Sequence, residues 1–140
     1  MNKYKSFLVI ILFYCFLIGA HGQKTPIYIN TAFSSLLIKA TGAKISGDLY
    51  AADSLYKKCL KLNPKSAVIH FELSGLFRTN EKINKAIEYA EKAVELSPLN
   101  EWYLANLAVL YQQNEDHKKS AAIFLRLTEI EPQKVTYLFS

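Results

Sequence analysis

Residues 67–100 read AVIHFELSGLFRTNEKINKAIEYAEKAVELSPLN: two short amphipathic helical patterns, a polar break at Asn80-Glu81, then Ser97-Pro98. Pro98 is the middle one of three prolines at a constant interval of 34 residues, with Pro64 before it and Pro132 after. A fixed period of that length predicts stacked helix-turn-helix units rather than one closed globule, because each unit can bury its apolar face only against its neighbours. The chain is therefore expected to be all-α, and binding is the class of work such an architecture implies.

Alignment on the prolines gives three units, 33–66, 67–100 and 101–134. The eighth place of each unit holds Ala40, Ser74 and Ala108, and the eleventh Ala43, Phe77 and Tyr111. The twentieth place holds Ala52, Ala86 and Ser120, and the twenty-fourth Tyr56, Ala90 and Phe124. Small residues let two helices of a hairpin approach closely, and large ones fill the gap to the next unit. On these residues the chain resembles the tetratricopeptide repeat family, with its pattern W-x2-L-G-x2-Y, A-x3-F and P. The resemblance implies a right-handed superhelical solenoid of about three repeats. Lys39 departs from it where leucine is expected, Ala90 where an aromatic is, Leu127 where a small residue is, and Leu104 where tryptophan often stands.

Punctuation supports helices over about 31–43, 48–62, 67–79, 83–96, 101–113 and 117–130. Ser46-Gly47, Asn80-Glu81 and Asn114-Glu115-Asp116 are polar turn formers inside hairpins, and Ser66 and Asn100 are N-cap types. Residues 23–32, with Pro26, read as an extended lead-in. Residues 135–140 read as the start of a fourth unit or a truncated cap.

Residues 1–22 carry Lys3 and Lys5, then an uncharged apolar run from Phe7 to Ala20, then Ala20-His21-Gly22. This is the plan of a secretory signal peptide with cleavage before Gln23. The run falls short of the roughly 20 apolar residues that span a bilayer, so a membrane anchor through an uncleaved segment is the alternative. The plan and the Gly22-Gln23 junction read as bacterial, of a Bacteroidetes-like kind, and the expected destination is the periplasm or the exterior. Removal of the segment takes Cys15 with it and leaves Cys59 alone, with no internal disulfide to form. Cys59 reads as a small packing residue.

The 17 Lys+Arg against 12 Asp+Glu include Lys3 and Lys5, and Arg78 and Arg126 are the only arginines. That modest excess is not the footprint of a nucleic-acid binder. Lys57, Lys61 and Lys65, spaced four apart, read as a solvated outer face. His70 stands where the family often has tryptophan and reads as packing; His117 reads as a turn residue. With no HExxH, GxSxG or glycine-rich phosphate cradle in the sequence, neither an enzyme, a cofactor, a metal nor a small-molecule substrate is expected.

What the resemblance implies is a concave groove lined by the first helix of each unit at its second, fifth, ninth and twelfth places. Those are Ser34, Leu37, Thr41 and Lys44; Val68, Phe71, Gly75 and Arg78; and Trp102, Ala105, Val109 and Gln112. Such a surface suits a protein or peptide partner. Trp102 is the expected anchor, its alternative being packing on the neighbouring hairpin. The subclass that grips a terminal carboxylate uses places held here by Leu37, Thr41, Glu72, Trp102 and Asn106; only Asn106 matches, and Glu72 opposes a carboxylate. The reading is an exported scaffold for protein or peptide binding. Its rivals are the front end of a longer bacterial enzyme or sensor, and self-association through an open C-terminal end.

Overall fold

The computed structural model describes residues 26–130, with side chains from Thr31 onward. The signal segment 1–22 and the tail 135–140 lie outside the described residues. Among the described residues six helices follow one another: α1 (Pro26–Ile45), α2 (Leu49–Leu62), α3 (Ala67–Thr79), α4 (Ile83–Leu96), α5 (Glu101–Gln113) and α6 (His117–Ile130). The last four have the bounds expected from the sequence. Helix α1 starts at Pro26 rather than near Thr31, which corrects the extended lead-in. Proline suits the first helical position, where its missing N–H costs nothing, and no glycine or polar cluster interrupts 26–40.

The three turns within hairpins are built alike. Gly47, Glu81 and Glu115, also 34 residues apart, all have positive φ, at 83°, 57° and 60°. Each donates its N–H three residues back, to Lys44, Arg78 and Gln112; the next residue donates five back, Asp48 to Ala43, Lys82 to Phe77 and Asp116 to Tyr111, each at 2.9 Å. This double bond pattern around a left-handed residue satisfies the last carbonyls of a helix and sends the chain back on itself. The joints between hairpins repeat too. Asn63 donates to the Cys59 carbonyl and Ser66 to that of Asn63, just as Ser97 donates to Ala93 and Asn100 to Ser97.

The small residues at repeated places are sealed in. Ala40, Ser74, Ala108, Ala52, Ala86 and Ser120 are all buried, so helix backbones approach closely there. In the third hairpin the Ser120 hydroxyl donates to the Ala108 carbonyl at 3.0 Å, fastening the two places to each other. Large side chains fill the rest: Tyr56, Ile69, Leu73, Leu104 and Leu110 belong to one continuous core. Cys59 is buried within it, and burial raises its thiol pKa, which keeps it protonated and inert.

Where Ala90 lacks the expected ring, Tyr89 supplies one from the preceding position. It stacks on Phe77 at 5.4 Å and lies 5.8 Å from the His70 ring. Lys85 covers the Phe77 ring at 4.8 Å and Lys57 stands 5.8 Å from it. Lys57 also pairs with Asp53 at 2.6 Å, so it is no part of a freely solvated face, whereas Lys61 and Lys65 are exposed. His70 is buried, with Nε2 donating to the Pro64 carbonyl at 3.1 Å.

Candidate peptide-binding face

The first helices of the hairpins, α1, α3 and α5, are tied side by side by three contacts. Lys44 on α1 pairs with Glu72 on α3 at 2.6 Å. The Phe71 ring on α3 meets Tyr103 on α5 at 5.0 Å. Asn106 Nδ2 on α5 donates to Ser74 Oγ on α3 at 2.9 Å. Along α3 and α5 the expected residues recur at helical spacings of three and four, Val68, Phe71, Gly75 and Arg78 on one and Trp102, Ala105, Val109 and Gln112 on the other.

Exposure sorts these residues by what they can do. Trp102 is 70% exposed and Val68 41%, so the alternative of Trp102 packed on a neighbouring hairpin does not hold. Asn100 caps α5 by accepting from the Trp102 and Tyr103 N–H groups, and this fixes the backbone from which the indole projects. Arg78 and Gln112 are exposed; Phe71, Asn106 and Val109 are half-buried. Leu37 and Ala105 lean on the core and form floor rather than anchors. The Asn106 amide is engaged by Ser74 and works as a tie between repeats.

Sequence reasoning missed two residues. Ile38 and Ile45 on α1 are 72% and 79% exposed, at the sixth and thirteenth places, beside the four places the resemblance marks. The one available signal was two isoleucines seven apart in a helix whose buried places were already filled. The role of Glu72 was also incomplete: it accepts from Lys44 and, at 3.3 Å, from the Tyr56 hydroxyl, so its charge is already answered from within.

Among the described residues one hollow opens at the Gln112 end of this face and another lies off it. The first, of about 420 Å³, runs along α6 and is bordered by Gln112, His117, Ala121, Phe124, Leu125 and Thr128. The other, of about 310 Å³, sits by the first two turns, between Tyr50, Asp53, Phe77 and Lys82. Among the described residues no three His, Cys, Asp or Glu side chains converge as a metal site would require, and no helix is long and apolar enough to cross a membrane.

The tetratricopeptide repeat pattern matches residues 39–66, 67–98 and 103–134. This chain belongs to the tetratricopeptide repeat family. Among curated proteins, this chain is 37% identical over 68 residues to the Phagocyte signaling-impaired protein of Drosophila pseudoobscura pseudoobscura, a match covering 49% of this chain and 7% of that protein. The chain thus spans a small part of that relative's length. Among solved structures, the N-terminal domain of stress-induced protein-1 from C. elegans superposes with a TM-score of 0.69 at 18% identity, over 80% of this chain and 98% of that one. The Arabidopsis OM64 TPR domain gives 0.68 at 20% identity, over 77% and 90%. The first TPR of Spaghetti, bound to the HSP90 peptide SRMEEVD, gives 0.68 at 17% identity, over 75% and 85%. These likenesses are ones of fold: an all-α helical repeat.

Proposed function

We propose that this tetratricopeptide repeat chain is an exported scaffold that holds a segment of a partner protein against α1, α3 and α5. The observation that carries the reading is the exposure of Trp102. A lone tryptophan left in water, on a helix start held by its own cap, is a poor use of apolar area unless something covers it. Val68, Ile38 and Ile45 extend the apolar surface to the neighbouring helices. The Spaghetti repeat with its HSP90 peptide supports a peptide as the kind of thing held. Export rests on the order of Lys3, Lys5, the apolar run and Ala20-His21-Gly22.

Selection from a random peptide library on the immobilised chain tests the binding. Recovered peptides are expected to shift the Trp102 emission and to lose about tenfold or more in affinity for Trp102→Ala, the loss usual at an anchor. Peptides that bind Trp102→Ala as tightly as the parent place the site elsewhere. For export, protein recovered from a secreting host is expected to begin at Gln23 by intact mass; a species retaining Met1 in the membrane fraction overturns cleavage.

A further inference from the structure

We propose that the partner segment is an extended strand whose side chains alternate between apolar and acidic, and that it crosses α3 over Gly75. This rests on the reading of α1, α3 and α5 as the binding face. The two ends of that face differ in chemistry. At the N-terminal ends of α3 and α5 the same place holds Val68 and Trp102, both exposed and apolar. Ten residues on, Lys44 closes α1 and Arg78 closes α3, both exposed cations, with Gln112 at that place of α5. Ten residues of helix separate the two rims by roughly 15 Å.

The cations are not equally committed. Lys44 holds Glu72, whose carboxylate also takes the Tyr56 hydroxyl. Arg78 has no acidic side chain within ion-pair distance among the described residues; Glu81, three positions on in the turn, does not reach it. The face therefore offers one unanswered positive charge and no unanswered negative one. Complementarity selects a carboxylate on the rim formed by the helix C-termini and an apolar group on the other.

Gly75 says how the strand's backbone passes between the rims. A methyl group built on it meets nothing within 4 Å, and its φ is not in the left-handed range. Neither internal packing nor backbone conformation requires glycine there, although glycine weakens a helix interior. Its absent side chain lowers α3 seven residues after Val68 and three before Arg78, so another backbone can lie close there, nearer the cationic rim. An extended strand laid across the helices sends alternate side chains to opposite sides, one set toward Val68 and Trp102, the other toward Arg78. The carboxylates are those of side chains along the strand, which is a different chemistry from the terminal-carboxylate grip, of whose places only Asn106 matches here.

The test uses the full chain and three labelled peptides of equal length that alternate leucine with glutamate, serine or lysine, read by fluorescence anisotropy and Trp102 emission. The glutamate peptide is expected to bind about tenfold more tightly than the lysine peptide at low salt, with the gap closing as salt rises. Arg78→Glu is expected to reverse the order. Gly75→Leu is expected to remove binding of all three while the far-UV spectrum stays helical, and Gly75→Ala to raise the urea midpoint while weakening binding. If the peptides bind and Arg78→Glu leaves their order unchanged, the charge preference is wrong and the binding face stands. If Gly75→Leu binds as the parent does, the crossing point is wrong. If none of the peptides binds and library selection also fails, the binding face falls and this inference falls with it.

Discussion

Three residues 34 apart show how far a single side chain controls the local outcome. Gly47, Glu81 and Glu115 occupy the same left-handed position in the same turn, but only glycine adopts it without steric cost. A non-glycine residue held there costs on the order of 1–3 kcal/mol, partly offset by glycine's larger entropy loss on folding. Glu115→Gly is therefore expected to stabilise the fold by about 0.5–1 kcal/mol, and Gly47→Ala to cost about 1 kcal/mol, both from urea midpoints. Tyrosines supply a second residue-scale outcome. Burial raises the pKa of Tyr56, Tyr89, Tyr103 and Tyr111, and for Tyr111 the hydrogen bond to Glu91 adds to it. The folded state then holds these protons more tightly than the unfolded chain does. Their contribution is complete below the ordinary tyrosine value near 10 and is lost as the pH climbs past it. Stability measured at pH values on either side of 10 is expected to fall on the alkaline side, and Tyr111→Phe to soften the fall. None of this was visible in the sequence, because a turn's φ and a hydroxyl's partner depend on neighbours brought close by folding.

At the scale of helices the sequence was far more informative, since a 34-residue period fixes which faces pack. Ala86 is fully buried at the close contact of the second hairpin. Ala86→Leu is expected to overpack it and cost about 1–3 kcal/mol, while Glu88→Ala, on an exposed position, leaves the midpoint in place; an unmoved Ala86→Leu midpoint breaks the packing argument. Caps were read less well. Asn100 caps α5 with two accepted bonds, but Ser66, at the equivalent place before α3, makes no side-chain cap bond. Asn100→Ala should accordingly cost about 1 kcal/mol and Ser66→Ala less. The ring expected at position 90 comes from Tyr89 instead, because Phe77 and His70 offer it a stacking site one position earlier. A family pattern marks where a ring is needed, whereas packing decides which residue delivers it. The same holds for the binding face: the register identified Val68 and Trp102, but the exposure of Ile38 and Ile45 depends on what α1 leaves uncovered.

For the repeat stack as a whole, the last described helix poses the question of what ends it. On α4 the outward places Ile87, Ala90 and Val94 are buried. Two of their counterparts 34 residues on, Ala121 and Thr128, border an open hollow beside Leu125, which is 63% exposed. Ile123 and Leu127, at the twenty-third and twenty-seventh places, belong to the buried core instead. Self-association through α6 is the proposal that follows, and light scattering over a dilution series is expected to show mass rising with concentration, with Leu125→Asp suppressing the rise. A particle of constant mass across the series overturns it. The joints between hairpins carry a further consequence. Because 63–66 and 97–100 are closed by the same pair of backbone bonds, one joint can stand in for the other. A duplicate of 67–100 spliced in after Asn100 meets Glu101 through a junction the chain already makes, and adds one more rung to the ladder. Reach and chemistry are thus inherited separately: copying a segment of gene lengthens the gripping surface, while point changes at a few exposed positions on each rung decide what it grips.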